Sequence, residues 1–251
     1  MAYLTRDGVR IFYEDEGTGI PIFLSHGFGA STRMWDGQVA EFSDRYRFIR
    51  WDMRGHGQSD SPNDPALYSQ AHTLGDILGV LDYLEIDKAV IGGHSLGGYM
   101  TLAFNARHAD RTKALILQGC GPGYRSDTAR AMWNIRAENR ALSLEEGGLD
   151  ALGGGAEVNV IEQKSALGLA NAARGILSQV DAAAIDSLPG IDVPVLILIG
   201  DGDEHYLQGS AYMASRIPGA INVTVPNAGH GVNVDQPNIV NKAFGEFLAG
   251  I

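Results

Sequence analysis

The pentapeptide Gly93-His94-Ser95-Leu96-Gly97 constrains this chain more than any other stretch. It follows a β-branched apolar run, Ala89-Val90-Ile91, and precedes Gly98 to Arg107, which reads as a helix. A strand that turns sharply into a helix brings the two elements very close together. The positions two before and two after the central residue then have no room for a side chain. Gly93 and Gly97 meet that demand, and Gly98 eases the helix contact further. The turn forces Ser95 into a strained backbone conformation, with its hydroxyl held clear of the sheet at a helix N-terminus. There the backbone N–H of Leu96 is free to stabilise an oxyanion. The plain alternative is a glycine-rich turn with a helix-capping serine, since 33 glycines make such a pattern common by chance. The remaining sequence decides between the two.

Strand-like runs alternate with helical patterns along the chain. The strand candidates cover 9–14, 21–25, 48–51, 89–91, 114–117, 193–199 and 221–225. The first alternates as an antiparallel strand does, after the Asp7-Gly8 turn. Several others are near-continuously apolar, as befits central parallel strands covered on both faces. Helices are predicted over about 70–84, 97–108, 208–216 and 236–249. This alternation predicts an α/β fold with a mostly parallel, doubly wound sheet. One interval breaks the rhythm. No strand pattern occurs over 121–189, where 126–142 and 166–179 read as helices between glycine-rich breaks. The expected organisation is a core domain of 1–120 and 190–251, with a small helical cap, 121–189, inserted before the acid-bearing strand.

A serine nucleophile needs a base, an acid to orient the base, and donors for the oxyanion. Of seven histidines (His26, His56, His72, His94, His108, His205 and His230), only His230 follows the last strand run. Flanking Gly229 and Gly231 keep its loop open enough for the imidazole to reach across the sheet edge. The acid should follow the run that ends at Ile199, where Asp201, Asp203 and Glu204 are available. Asp203 is preferred because it lies farther past the strand end, with Asp201 close behind. The second oxyanion donor should come from Ser25-His26-Gly27-Phe28-Gly29, where Gly27 permits close backbone approach and the N–H of Phe28 would pair with that of Leu96. His26 precedes the serine and is read as a structural residue.

Four blocks together resemble the α/β-hydrolase superfamily: Ser25 to Gly29, Asp52-Met53-Arg54-Gly55-His56-Gly57-Gln58-Ser59, Gly92 to Gly98, and Gly229-His230. The resemblance spans 9–249. It implies that Ser95, Asp203 and His230 form a catalytic triad and that Asp52 and Arg54 tie down a structural loop. Within the superfamily the chain resembles 3-oxoadipate enol-lactonases and small carboxylesterases. Epoxide hydrolases and haloalkane dehalogenases place Asp where this chain has Ser95. The expected reaction is hydrolysis of small carboxylic esters or lactones through an acyl-enzyme. C–C bond cleavage in a keto-dienoic acid by the same triad, or a non-enzymatic binding role on this fold, are the alternatives. No metal or cofactor is expected, since the histidines and the lone cysteine form no zinc pattern.

Trp35, Tyr124, Trp133 and Val232 are the expected apolar contacts for substrate, with Phe28 beside them. Arg125, Arg130, Arg136 and Arg140 make the first cap helix basic; they either hold a substrate carboxylate or form a solvated face. The net charge of -11 and the lack of a basic stripe argue against nucleic-acid partners. No run is long and apolar enough to span a membrane. The single Cys120 and an N-terminus without a leader pattern point to a reducing, cytoplasmic setting.

Overall fold

The computed structural model describes residues 2–159 and 163–251. Eight strands form one sheet: β1 (Ala2–Arg6), β2 (Val9–Glu16), β3 (Ile20–Ser25), β4 (Tyr46–Trp51), β5 (Ala89–His94), β6 (Thr112–Gln118), β7 (Val195–Gly200) and β8 (Ile221–Val225). Their spatial order is β1-β2-β4-β3-β5-β6-β7-β8. β2 runs antiparallel to both β1 and β4, and the remaining neighbours are parallel. The helices are α1 (Asp36–Phe42), α2 (Gln70–Tyr83), α3 (Leu96–Asn105), α4 (Asp127–Gly147), α5 (Ala156–Asn159), α6 (Ala166–Ala172), α7 (Ala183–Ser187), α8 (Leu207–Arg216), α9 (Val232–Asp235) and α10 (Pro237–Leu248).

Successive side chains of a strand point to opposite faces, so a continuous apolar run feeds two cores at once. Phe23, Ile91, Leu115, Leu117 and Ile197 pack under α2 and α3 on one face. Ile22, Leu24, Val90, Ile116, Leu196 and Leu198 pack against α1 and α10 on the other. This explains why the central strands read as unbroken hydrophobic segments. Two elements escape a reading by pattern. β1 is an edge strand of half-buried and exposed residues, and α1 is only seven residues long after a 3₁₀ turn at Thr32–Trp35.

Between β6 and β7 the described residues form helices and turns. Ser126 caps α4 by accepting a hydrogen bond from the Ala129 N–H, and α4 ends at Gly148 with φ of +65°. The helix runs five residues past the expected end because Arg174 bridges Glu138 and Glu145 along its flank. Ala141 and Leu144 of α4 meet Leu169, Ala170 and Ala173 in a small third core. α6 passes into a wider π-type turn at Ala173–Leu177.

The Asp52 to Ser59 loop is held by buried charges. Asp52 accepts from the N–H groups of Thr32 and Gln58 at 2.8 and 2.7 Å. Arg54 makes a two-pronged bond to Asp76 of α2 at 2.7 and 2.9 Å, and both side chains are fully buried. Removing one partner of such a pair strands the other charge in an apolar setting. Asp76→Ala is therefore expected to cost about 3–5 kcal/mol, read as a lowered urea midpoint. An unchanged midpoint would show that the loop is not anchored this way.

Candidate functional site

Ser95 sits between β5 and α3 with φ of +52° and ψ of −113°. That left-handed backbone is unfavourable for any residue with a Cβ, and close packing on every side maintains it. A Cβ on Gly93 would lie 2.3 Å from the carbonyl carbon of Gly97, and one on Gly97 would lie 2.3 Å from the Ser25 oxygen. The Ser95 N–H donates to the Gln118 carbonyl at 2.8 Å, locking the turn onto β6. Leu96 opens α3, so its N–H belongs to the first helical turn and lacks an intrahelical acceptor. The β3 loop approaches from one side, and a Cβ on Gly27 would stand 3.3 Å from that of Ser95. His26 pins this loop. Its Nδ1 bonds the Gly27 carbonyl at 2.7 Å, and its Nε2 accepts from the Met53 N–H at 2.9 Å. Burial lowers its pKa and keeps it neutral, as that pair of bonds requires.

On the other side of β5 lie the loops after β7 and β8. Asp203 is buried, and its Oδ2 lies 2.7 Å from Nδ1 of the half-buried His230. Asp201 points elsewhere and accepts from the Ala228 N–H at 3.4 Å, bracing the β8 loop. A Cβ on Gly200 would meet the Ala228 carbonyl at 2.3 Å, so the two loops touch through backbone alone. His94, unassigned by the sequence reading, supports this arrangement: its Nε2 donates to the His230 carbonyl at 2.9 Å, with the two rings 4.6 Å apart. Burial, reinforced by the nearby His230, holds the His94 imidazole well below its usual pKa and hence neutral. Tyr206, also unassigned, stacks on His230 at 5.0 Å and 20°. No sequence signal marks it. It reaches the site because its N–H bonds the Asp203 carbonyl in a tight turn.

A cavity of about 370 Å³ opens onto Ser95 and Leu96. Tyr124, Trp133, Arg136, Leu177 and Gln179 roof it, and Tyr206 forms part of its wall. Trp133 is held by its indole N–H bonding the Leu177 carbonyl at 2.8 Å. Trp35 and Val232 do not line this cavity. Both are fully buried in the core formed with α1 and α10, because the 3₁₀ turn at Thr32–Trp35 and α9 pack on each other there. Apolar character predicts burial but not the face of the sheet. Phe28 does not line the cavity either; its ring lies under Arg140 and edge-on to His56 at 5.4 Å. Three of the four cap arginines are occupied: Arg125 with Asp186, Arg130 with Asp127, and Arg140 with the carbonyls of Ala151 and Leu152. Arg136 lines the cavity, with no anionic partner among the described residues.

The assembled chemistry is the Ser95 hydroxyl and the Leu96 N–H at one cavity, with an imidazole bonded to a carboxylate in the loops beside its Tyr206 wall. A family model described as the alpha/beta hydrolase family matches residues 22–243. The chain is 28% identical to a putative 2-succinyl-6-hydroxy-2,4-cyclohexadiene-1-carboxylate synthase of Bacillus subtilis (strain 168), covering 98% of this chain and 97% of that one. The enol-lactonase from Burkholderia xenovorans LB400 superposes with a TM-score of 0.80 at 28% identity, covering 99% and 100% of the two chains. A thermophilic esterase from Thermogutta terrifontis superposes with a TM-score of 0.81 at 29% identity, covering 99% and 96%. Among the described residues no helix is long and apolar enough to cross a membrane.

Proposed function

We propose, from the premise that this chain belongs to the alpha/beta hydrolase family, that it hydrolyses carboxylic esters or lactones of small molecules through Ser95, His230 and Asp203. The observation that carries this reading is the 2.7 Å contact between Asp203 and His230 beside a strained Ser95 that opens onto a cavity. Ser95 Oγ attacks the carbonyl carbon while Nε2 of His230 takes its proton. Asp203 bonds Nδ1–H, which keeps Nε2 free to act as base and stabilises the imidazolium. The N–H groups of Leu96 and Phe28 receive the oxyanion. The imidazolium protonates the leaving oxygen, and His230 then activates water to release the acid. Similarity to an esterase and an enol-lactonase supports the ester and lactone classes.

The test is a hydrolysis panel of neutral short-chain esters, neutral lactones and lactones carrying a carboxylate, scored by release of free acid. Turnover in any arm supports the reading, and silence in all of them overturns it. Arg136 in the cavity lining makes the anionic arm informative, because a guanidinium with no anionic partner among the described residues can pair with a substrate carboxylate. A second reading is a lyase reaction run by the same triad, supported by the similarity to a protein named as a synthase of a cyclohexadiene carboxylate. Product identification separates the two.

The insertion, 121–189, is proposed as a lid that sets substrate choice and contributes no triad member. Trp133→Ala enlarges the roof without touching Ser95. It is expected to change kcat/KM for bulky relative to small acyl groups by about tenfold, the scale on which a pocket discriminates through apolar contacts. Labelling of Ser95 by a minimal phosphonate should stay nearly constant. Equal loss of both, in a folded protein, would make the lid part of the catalytic machinery.

A further inference from the structure

Tyr206 is a cavity-lining side chain that the proposed mechanism leaves without a role. Its ring lies nearly parallel to the His230 imidazole at 5.0 Å. Tyr206 and Ser95 line the same cavity. Sheet order fixes which side of the nucleophile it occupies. The oxyanion donor Phe28 follows β3, on one flank of β5. Tyr206 follows β7 and His230 follows β8, both on the opposite flank. The oxyanion therefore forms away from Tyr206. The leaving oxygen must depart toward His230, the group that protonates it, and Tyr206 covers that imidazole.

Resting on the serine-hydrolase reading above, we propose that Tyr206 is a catalytic residue whose hydroxyl donates to the leaving-group oxygen during acylation. The bond from Ser95 Oγ to the acyl carbon forms, and the bond from that carbon to the leaving oxygen breaks. The electron pair goes to the leaving oxygen, which receives the serine proton by way of His230. Tyr206 keeps its own proton throughout. Burial pushes its phenol up to about 12, so it remains a donor at neutral pH and does not compete with the imidazolium as the acid. A group of this kind helps most when the leaving oxygen carries full negative charge, as in alkyl esters and saturated lactones. It helps least when the leaving group delocalises that charge.

Tyr206→Phe removes the hydroxyl and retains the ring stacked on His230. The experiment compares kcat/KM of wild type and Tyr206→Phe for an ethyl ester and a p-nitrophenyl ester of the same acid. Both rates come from one preparation, so their ratio is insensitive to the fraction folded. The ethyl ester is expected to lose about 10- to 100-fold, the scale of one hydrogen bond to a developing charge, and the p-nitrophenyl ester no more than about threefold. Equal losses on both esters, or no loss on either, would overturn the role at the leaving oxygen. Phosphonate labelling of Ser95 in both proteins separates this outcome from failure of the underlying reading. Ser95 that labels in both proteins, with no selective ethyl-ester loss, refutes Tyr206 alone. Ser95 that labels in neither refutes the nucleophile and this inference together.

Discussion

Ser95→Ala is expected to lower kcat by about 10⁴-fold or more while leaving the fold intact. The reasoning begins with the backbone. Ser95 holds φ of +52° because β5 and α3 meet through Gly93 and Gly97, and alanine carries the same Cβ into the same conformation. The substitution therefore adds no steric load and removes only Oγ. The proposed oxyanion donors and the cavity persist, so a residual rate above the uncatalysed reaction should survive. A fluorophosphonate should add once to the wild type, at Ser95, and not to the variant. Labelling at another residue, or undiminished turnover in Ser95→Ala, would remove Ser95 from the mechanism.

Asp203→Asn should cost nearly as much, about 10⁴-fold in kcat, whereas Asp201→Asn should change the rate little. An asparagine at 203 can present its NH₂ to Nδ1 of His230, which stabilises the tautomer protonated at Nε2. That tautomer cannot accept the serine proton. Asp201 instead bonds the Ala228 N–H at the protein surface, and an amide oxygen can replace that interaction. A pH–rate profile of each variant on one ester decides the matter. If Asp201→Asn proved the more damaging change, the orienting acid would be Asp201 and the 2.7 Å contact of Asp203 would be incidental.

The two aspartates show where a sequence becomes unreadable. They lie two residues apart in an acidic turn, and position past the strand end favours Asp203 by a small margin. The structure separates them by burial and by partner: one carboxylate turns in to His230, and the other faces out to the β8 loop. Trp35 and Val232 mark a second limit. Both are buried, as their apolar character demands, yet in the core on the α1 and α10 face and away from the cavity. Tyr206 marks a third. Its position above His230 depends on a turn closed by Asp203 and on the spacing of β7 and β8, neither of which leaves a pattern in nearby residues.

Local sterics and periodicity were sufficient for much else. The glycines around Ser95 encode a close strand–helix approach, because no other residue fits there. Unbroken apolar runs encode strands covered on both faces, since each alternate side chain must find a core of its own. These features act over a few residues, so the chain displays them directly. Which carboxylate meets the imidazole, which aromatic roofs the cavity and which arginine lines it depend on segments far apart in sequence. Asp203 and His230 are joined across two parallel strands, and Arg136 has no anionic partner among the described residues, whereas Arg130 and Arg174 do. Such outcomes depend on where the packed sheet places each loop, and only the tertiary structure decided them.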